Sequence, residues 1–286
     1  MKAAWIARRT SAAMVSAGIP LRQPDSHKGD YGRVLIIAGA EGYTGAPALA
    51  ARAALRSGAG LIFTGVPRCV YPIVASKLDG PMVFPLADAD GKLTFAALPA
   101  ILEKLERADA CLLGPGLGRG EAVDALVCAI VKQCRCPLVL DADGINAAAG
   151  HMDVLRGAAC SVILTPHEGE FRRLTAAAEP DRIAGAQILA RETGCIVLRK
   201  GHETVITDGA NTYINRTGNP GMATGGSGDV LAGIIAALLG QKIPPLEAAA
   251  LAAWLHGTAG DLAARKLGQT AMGPGDLLDM LPRLLP

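Results

Sequence analysis

The run Gly225-Gly226-Ser227-Gly228-Asp229 leads straight into the apolar stretch from Val230 to Leu239, so three glycines, a hydroxyl and a carboxylate gather where a helix should begin. Glycines at such a point let the backbone turn and come close to a ligand, while the helix aims unpaired N–H groups and its positive end at the same spot. Phosphate oxygens suit that place. An acid on the first helical turn beside bound phosphate is electrostatically awkward, unless it takes a proton from a hydroxyl about to meet that phosphate. Asp229 also reads as an ordinary N-cap on a flexible loop, and the spacing leaves both readings open.

Further along the chemistry, Lys200-Gly201-His202-Glu203-Thr204 ends one β-rich run and begins another. It reads as a tight turn with a solvated lysine, or as a lysine and free N–H groups that accept a nucleotide's phosphates or ribose beside the glycine loop. Asp141 and Asp143 follow a strand two residues apart, so they face one site or simply cap the next helix. His167, Glu168 and Glu170 follow Pro166, where acids favour a helix start whatever the function, and where a carboxylate could also hold hydrated Mg2+ beside substrate phosphates. Gly114-Pro115-Gly116-Leu117-Gly118 is a strand-to-helix turn or a backbone approach to a ring or ribose. His27 sits with Lys28 and Asp30 in a polar, glycine-rich stretch, whereas His151 and His256 lie in Ala/Leu surroundings and read as surface or satisfied core residues.

Two common nucleotide signatures are absent. Gly39, Gly42 and Gly45 are spaced as G-x-x-G-x-x-G rather than G-x-G-x-x-G, with no acid at the ribose-binding distance, which disfavours a Rossmann dinucleotide site. No G-x-x-x-x-G-K-[ST] occurs, which excludes a P-loop.

Elements able to position these groups alternate along the chain. Apolar β-rich runs at 34–38, 60–66, 110–114, 137–141, 161–165, 195–200 and 204–207 are separated by Ala/Leu-rich helical stretches. The helical stretches lie at 46–57, 98–107, 121–134, 144–149, 167–174, 181–193, 229–240 and 245–267. This is the pattern of parallel strands joined by helical crossovers, and it predicts an α/β three-layer sandwich with function at the carboxyl ends of the strands. Four successive strand ends run into small or ionisable residues, which turn chemistry alone hardly explains. Neither a linker nor an internal repeat stands out.

Composition narrows the classes. Of 286 residues, 50% are hydrophobic and 19% charged, which supplies a core buried on both faces of a sheet. A net charge of +2 without a basic stripe, and 3% aromatics, exclude a nucleic-acid binder of the usual kind. Seven cysteines without a Cys-x-x-Cys pair read as core thiols of a reducing compartment rather than a zinc site or disulfide framework, so a cytoplasmic protein is expected. No stretch reaches the length of a membrane span. Residues 1–20 hold Lys2, Arg8 and Arg9 without an acid, which leaves an organelle transit peptide open.

With these pieces in place, the chain resembles the ADP/ATP-dependent NAD(P)H-hydrate dehydratases, a branch of the ribokinase-like superfamily, from about Asp25 to Leu284. The likeness rests on His27-Lys28-Gly29-Asp30-Tyr31-Gly32, Gly45-Ala46-Pro47, Gly114-Pro115-Gly116-Leu117-Gly118, Asp141-Ala142-Asp143-Gly144-Ile145-Asn146 and Thr165-Pro166-His167-Glu168-Gly169-Glu170. Above all it rests on Asn219-Pro220-Gly221-Met222-Ala223-Thr224-Gly225-Gly226-Ser227-Gly228-Asp229. A Gly-x-Gly-Asp ending marks the wider kinase superfamily, whereas the longer lead looks like the dehydratase branch.

The resemblance implies a single ribokinase-like domain over 25–286, a three-layer α/β/α sandwich with a mostly parallel sheet, preceded by an extension at 1–24. It implies repair of reduced nicotinamide cofactors that have taken up water at C6: the S epimer of hydrated NADH or NADPH is phosphorylated on its hydroxyl by ADP or ATP, ADP being favoured, and phosphate then departs. By carry-over, Asp229 is the base that takes the hydroxyl proton, and Ala46, Gly116, Gly118, His167 and Asp229 touch the hydrated cofactor. Lys200, Gly201, His202, Glu203 and Thr204 hold the adenine nucleotide together with Gly225, Gly226, Ser227 and Gly228. Glu170 corresponds to the acid of the superfamily's Asn-x-x-Glu motif and places Mg2+ through water, although His167 stands where that motif has Asn. Many relatives carry an N-terminal epimerase domain for which this chain has no room, so a separate epimerase is expected as functional partner. A homo-oligomer, with a tetramer favoured, is also implied. A sugar or vitamin-precursor kinase of the same fold, with a stable phosphorylated product, is the alternative.

Overall fold

The computed structural model describes residues 7–175 and 181–286. Its strands are β1 (Arg8–Arg9), β2 (Arg33–Ile37), β3 (Leu61–Pro67), β4 (Met82–Leu86), β5 (Asp88–Ala89), β6 (Lys92–Leu93), β7 (Ala110–Leu113), β8 (Leu138–Leu140), β9 (Val162–Leu164), β10 (Ile196–Arg199), β11 (Thr204–Thr207) and β12 (Thr212–Asn215). The helices are α1 (Ala12–Gly18), α2 (Gly45–Arg56), α3 (Tyr71–Ala75), α4 (Leu98–Leu105), α5 (Glu121–Gln133), α6 (Asp143–Ala149), α7 (Met152–Arg156), α8 (Glu168–Leu174), α9 (Arg182–Thr193), α10 (Ser227–Gly240), α11 (Pro245–Leu267) and α12 (Pro274–Met280). Ten strands form one sheet in the order β1-β12-β11-β10-β9-β8-β7-β2-β3-β4, while β5 and β6 make a small hairpin. Within the large sheet only β11 runs against the others.

Strand residues alternate between two cores because successive side chains point to opposite faces. Val34, Ile36, Leu112, Val139, Ile163 and Leu198 pack on one side with α2, α10, α11 and α12. Leu35, Ile37, Cys111, Leu113, Leu138 and Leu140 pack on the other with α4, α5, α7 and α9. Both faces are covered, so the strands are nearly continuous apolar runs, and the three-layer α/β/α arrangement expected from the alternation is present.

Every strand and helix named from the apolar pattern is found, with ends shifted by a few residues. The elements not anticipated are short or lie at the edges. β4 contains Pro85 and is half exposed, which suits an edge strand where a missing backbone donor costs least. At the opposite edge β1 pairs with β12 in parallel, and Val15 of α1 and the following Ile19 are buried in the core. The described part of the expected 1–24 extension is thus packed onto the same body. All seven cysteines are free thiols. No helix among the described residues is long and apolar enough to cross a membrane.

The central element is α10. From Val230 to Gly240 all its residues are buried, enclosed by α2, α11 and the sheet strands β2, β7 and β8. This all-round burial explains a sequence without a polar face. It also fixes the helix start rigidly at the carboxyl edge of the sheet, where ligands of α/β folds bind.

Candidate active site

A cleft of about 1060 Å3 opens at that edge. Its walls come from the ends of β8, β9 and β10, the turn 200–204, the loop after β12 and the start of α10. Lys200, Gly201, His202, Glu203, Thr204, Gly225, Gly226, Ser227, Gly228, Asp229, His167 and Glu170 all line it. Three candidate residues fall elsewhere: Ala46, Gly116 and Gly118 are not among the lining residues. A side chain added at Gly116 would meet Tyr43 and Ala46, so these two positions are neighbours on an adjoining surface formed by α2 and the β7 turn. The Gly118 N–H donates to Asp143 Oδ2 at 2.9 Å.

At the glycine loop, Gly226 is the N-cap of α10 with φ +95°, a left-handed conformation that side chains disfavour. An added Cβ there would also lie 2.6 Å from Leu49 Cδ1 of α2, so the position demands glycine twice over. The first intrahelical bond runs from the Val230 N–H to the Gly226 carbonyl at 3.2 Å, and no side chain caps the turn. Amides of Gly228 and Asp229 are therefore left for a ligand, as an anion site requires. Asp229 is the third helical residue and makes no capping bond, so the N-cap reading is set aside.

Charged groups meet beneath this loop. Asp141 is 1% exposed and accepts from Thr165 Oγ1 at 2.6 Å and Lys200 Nζ at 2.9 Å, both on Oδ1. Its other oxygen faces Gly228, since a Cβ built there would lie 4.0 Å from Oδ2. Lys200 Nζ also stands 3.9 Å from Glu170 Oε2. Burial alone would lower the lysine, but Asp141 and Glu170, with Asp229 behind them, outweigh it and raise its pKa. Asp229 is pushed up to about 7, first by burial and then by the Asp141 charge, while Lys200 pulls the other way. A carboxylate that titrates near neutrality is matched to taking up a proton and giving it back.

The two aspartates that spacing left unresolved diverge. Ala142 between them has φ +49° and ψ −115°, a strained conformation for a side chain with a Cβ, of the kind held only by surrounding structure. Across that kink Asp141 points to Lys200, whereas Asp143 opens α6 and binds the Gly118 amide and Asn146.

His167 shows what a histidine does at the Asn position of the acid motif. Its Nδ1 accepts from the Gly169 and Glu170 amides at 2.9 and 3.3 Å, and Glu170 Oε2 accepts from the His167 N–H at 2.8 Å. This reciprocal box caps α8 and leaves Nε2 as the ring position that carries hydrogen, 3.3 Å from Glu170 Oε1. His27 and Asp30 form the same device at a short turn away from the cleft. Behind α8, Glu168 is held by Arg199 and Arg182, and Arg182 Nη2 also donates to the Lys200 carbonyl at 3.1 Å, which ties the 200–204 turn to α9. At the outer end of that turn Glu203 pairs with Arg216 at 2.8 Å.

Sequence reasoning treated His256 as surface or core and singled out nothing at Asp261. His256 Nε2 lies 2.9 Å from the Ser227 carbonyl, the bond of a ring N–H donor, and burial lowers its pKa to about 4, so it stays neutral at the base of the cleft. Its place in an Ala-rich helix eleven residues beyond Pro245 contains no local signal of this contact.

A family model described as NAD(P)H-hydrate dehydratase matches residues 34–283. The chain is 49% identical over 285 residues to the bifunctional NAD(P)H-hydrate repair enzyme Nnr of Moorella thermoacetica, a match that covers 97% of this chain and 54% of that protein. It is 38% identical over 276 residues to the ADP-dependent (S)-NAD(P)H-hydrate dehydratase of Cenarchaeum symbiosum, covering 93% of both. Among solved structures, the ADP/ATP-dependent NAD(P)H-hydrate dehydratase of Bacillus subtilis co-crystallised with ATP/Mg2+ superposes with a TM-score of 0.82 at 29% identity, over 97% of each chain. The sandwich is of the ribokinase-like kind. The chain spans about half the length of the bifunctional relatives that it matches.

Proposed function

The chain belongs to the NAD(P)H-hydrate dehydratase family, and from that premise we propose that it restores the S epimer of hydrated NADH and NADPH to the intact cofactors at the expense of ADP. The observation that carries this reading is the half-buried Asp229 carboxylate, raised to about 7, on the first turn of a helix whose free amides face the same cleft as Lys200. Support for ADP comes from the name of the Cenarchaeum symbiosum relative, matched over nearly its whole length.

In this mechanism the nucleotide's phosphates lie against the Gly228 and Asp229 amides and Lys200, and the turn 201–204 holds the rest of the nucleotide. Asp229 takes the proton of the C6 hydroxyl as that oxygen bonds to the terminal phosphorus and the phosphoanhydride bond breaks. Phosphate is a far better leaving group than hydroxide. The ring nitrogen's lone pair expels it from C6, and loss of a proton from C5 restores the dihydronicotinamide. Preorganised amides and Lys200 act while charge develops on the transferred group, where one such contact typically contributes roughly 2.7–4 kcal/mol.

The donor set fits Mg2+ carried by the nucleotide. Among the described residues no three His, Cys, Asp or Glu side chains converge as a protein cage. Glu170, 4% exposed, and Asp141 are the carboxylates at the cleft floor, and both are already bonded to protein groups. They would therefore hold the ion through water, with the phosphates as its direct ligands. When bound it supplies positive charge to the transferring phosphoryl group. The bifunctional repair enzymes among the relatives support an epimerase as the functional partner that supplies the S epimer.

The test gives the purified chain and Mg2+ the hydrated cofactor with ADP or ATP, and follows reduced-nicotinamide absorbance together with free phosphate. Equal recovery of both is expected, faster with ADP. A stable phosphoester on the acceptor, or no turnover with either nucleotide, would overturn the reading in favour of a kinase or a silent binder.

A further inference from the structure

Helix α11 reaches the cleft through Ala253, His256 and Gly257, and its stretch from Ala253 to Asp261 carries the first half of the loop that joins β12 to α10. Asn215 Nδ2 donates to the Ala253 carbonyl at 3.1 Å, and Thr217 Oγ1 lies 3.2 Å from the Trp254 carbonyl. His256 holds the Ser227 carbonyl. A Cβ on Gly257 would sit 2.2 Å from Thr217 Oγ1, and one on Gly260 would sit 2.3 Å from Met222 Sδ, so the loop is laid directly on the helix backbone. At the end of this stretch is a carboxylate that no step of the reaction uses. Asp261 Oδ2 accepts from the Gly218 N–H at 3.0 Å, and Oδ1 accepts from Asn219 Nδ2 at 2.9 Å. Asn219 Oδ1 in turn accepts from the Gly221 N–H at 3.0 Å.

We infer that Asp261 is a positioning residue for nucleotide binding: it pins Gly218 and Asn219, and through Asn219 the turn at Gly221, in the shape that forms the cleft wall. Gly218, Asn219, Pro220 and Met222 line the cleft, whereas Asp261 does not. Its effect therefore reaches the ligand only through the loop. Both its oxygens accept at once, one from main chain and one from an amide, and a carboxylate accepts such bonds more strongly than a neutral group. Without it the loop that leads into the glycine cradle loses its fixed start, and the nucleotide must order that loop as it binds. Asp229, held by α10 rather than by this loop, keeps its place.

The inference rests on the dehydratase reading for its turnover assay, but binding of ADP with Mg2+ by calorimetry tests it independently. Asp261→Ala is expected to weaken ADP binding and raise the nucleotide KM by about tenfold or more, with kcat at saturating nucleotide within about threefold of wild type. Asn219→Asp, which sets two carboxylates face to face, should weaken binding at least as much. The double variant Asp261→Asn with Asn219→Asp reverses donor and acceptor between the two side chains: the new amide still offers an oxygen to Gly218, and the new carboxylate still accepts from Gly221. Recovery of most of the lost affinity is expected, and this pair decides the matter should Asp261→Ala fail to fold. Unchanged ADP affinity in a folded Asp261→Ala, an equal loss in kcat, or a double variant no better than its parents would overturn the inference. Absence of ADP and ATP binding in the wild-type chain would overturn the dehydratase reading as well.

Discussion

Replacing Asp229 with asparagine keeps the shape of the first turn of α10 and removes the one carboxylate there that titrates near neutrality. General-base catalysis typically contributes about 100- to 10,000-fold, so Asp229→Asn should lose turnover by that factor, roughly 3–5 kcal/mol of barrier at about 1.4 kcal/mol per tenfold. ADP affinity should hold or improve, because a negative charge beside the phosphates is gone. In the wild type, only the ionised carboxylate accepts the proton. With the group at about 7, roughly a tenth of molecules are active at pH 6 and most are at pH 8, so kcat/KM should fall tenfold per pH unit below neutrality.

The same substitution has an opposite sign for stability. A carboxyl raised from 3.8 to about 7 on folding binds its proton more tightly in the native state. Its ionisation therefore costs stability as pH rises through that window, by up to roughly 4 kcal/mol above it, an upper bound since solvent screens part of the effect. Asp229→Asn should accordingly be more stable than wild type at pH 8 and gain little at pH 4. His256, lowered to about 4 from 6.5, works the other way: stability falls as pH drops through that range, because the unfolded chain takes up the proton first. The readout is thus the difference in unfolding free energy between variant and wild type at each pH, in which the histidine cancels. Near-normal turnover in Asp229→Asn, or a flat rate profile between pH 5 and 8, would refute the role given to this residue.

Lys200→Ala should weaken nucleotide binding and also destabilise the fold by about 3–5 kcal/mol, since the buried Asp141 and Glu170 carboxylates lose the cation between them; unchanged ADP affinity in calorimetry would count against the first part. Gly226→Ala places a Cβ in a left-handed conformation and against Leu49, so it should cost at least about 1 kcal/mol in chemical denaturation and abolish ADP binding. Wild-type behaviour on both counts would mean that the loop is not the rigid cradle described.

Much of this protein is legible from local pattern. Alternating apolar runs dictate strands buried on both faces, since only side chains of both parities being apolar suits a covered sheet, and glycines 225, 226 and 228 before an apolar helix mark a tight helix start without choosing between a ligand cradle and an ordinary loop. Short strands such as β1 at the edge and β12 next to it escape the pattern, because their existence depends on a neighbour's free backbone groups more than on their own residues. What spacing could not decide was which charges share a low-dielectric space. Asp141 and Asp143 look alike on paper, and only the turn at Ala142 sends one to Lys200 and the other to Gly118. The pKa of Asp229 near 7, the neutral His256 beneath Ser227 and the grip of Asp261 on Gly218 each join residues at least 29 positions apart. Sequence determines such groups' chemical types and local conformations; burial and distance, which set their energies, exist only once the sheet and α11 have brought them together.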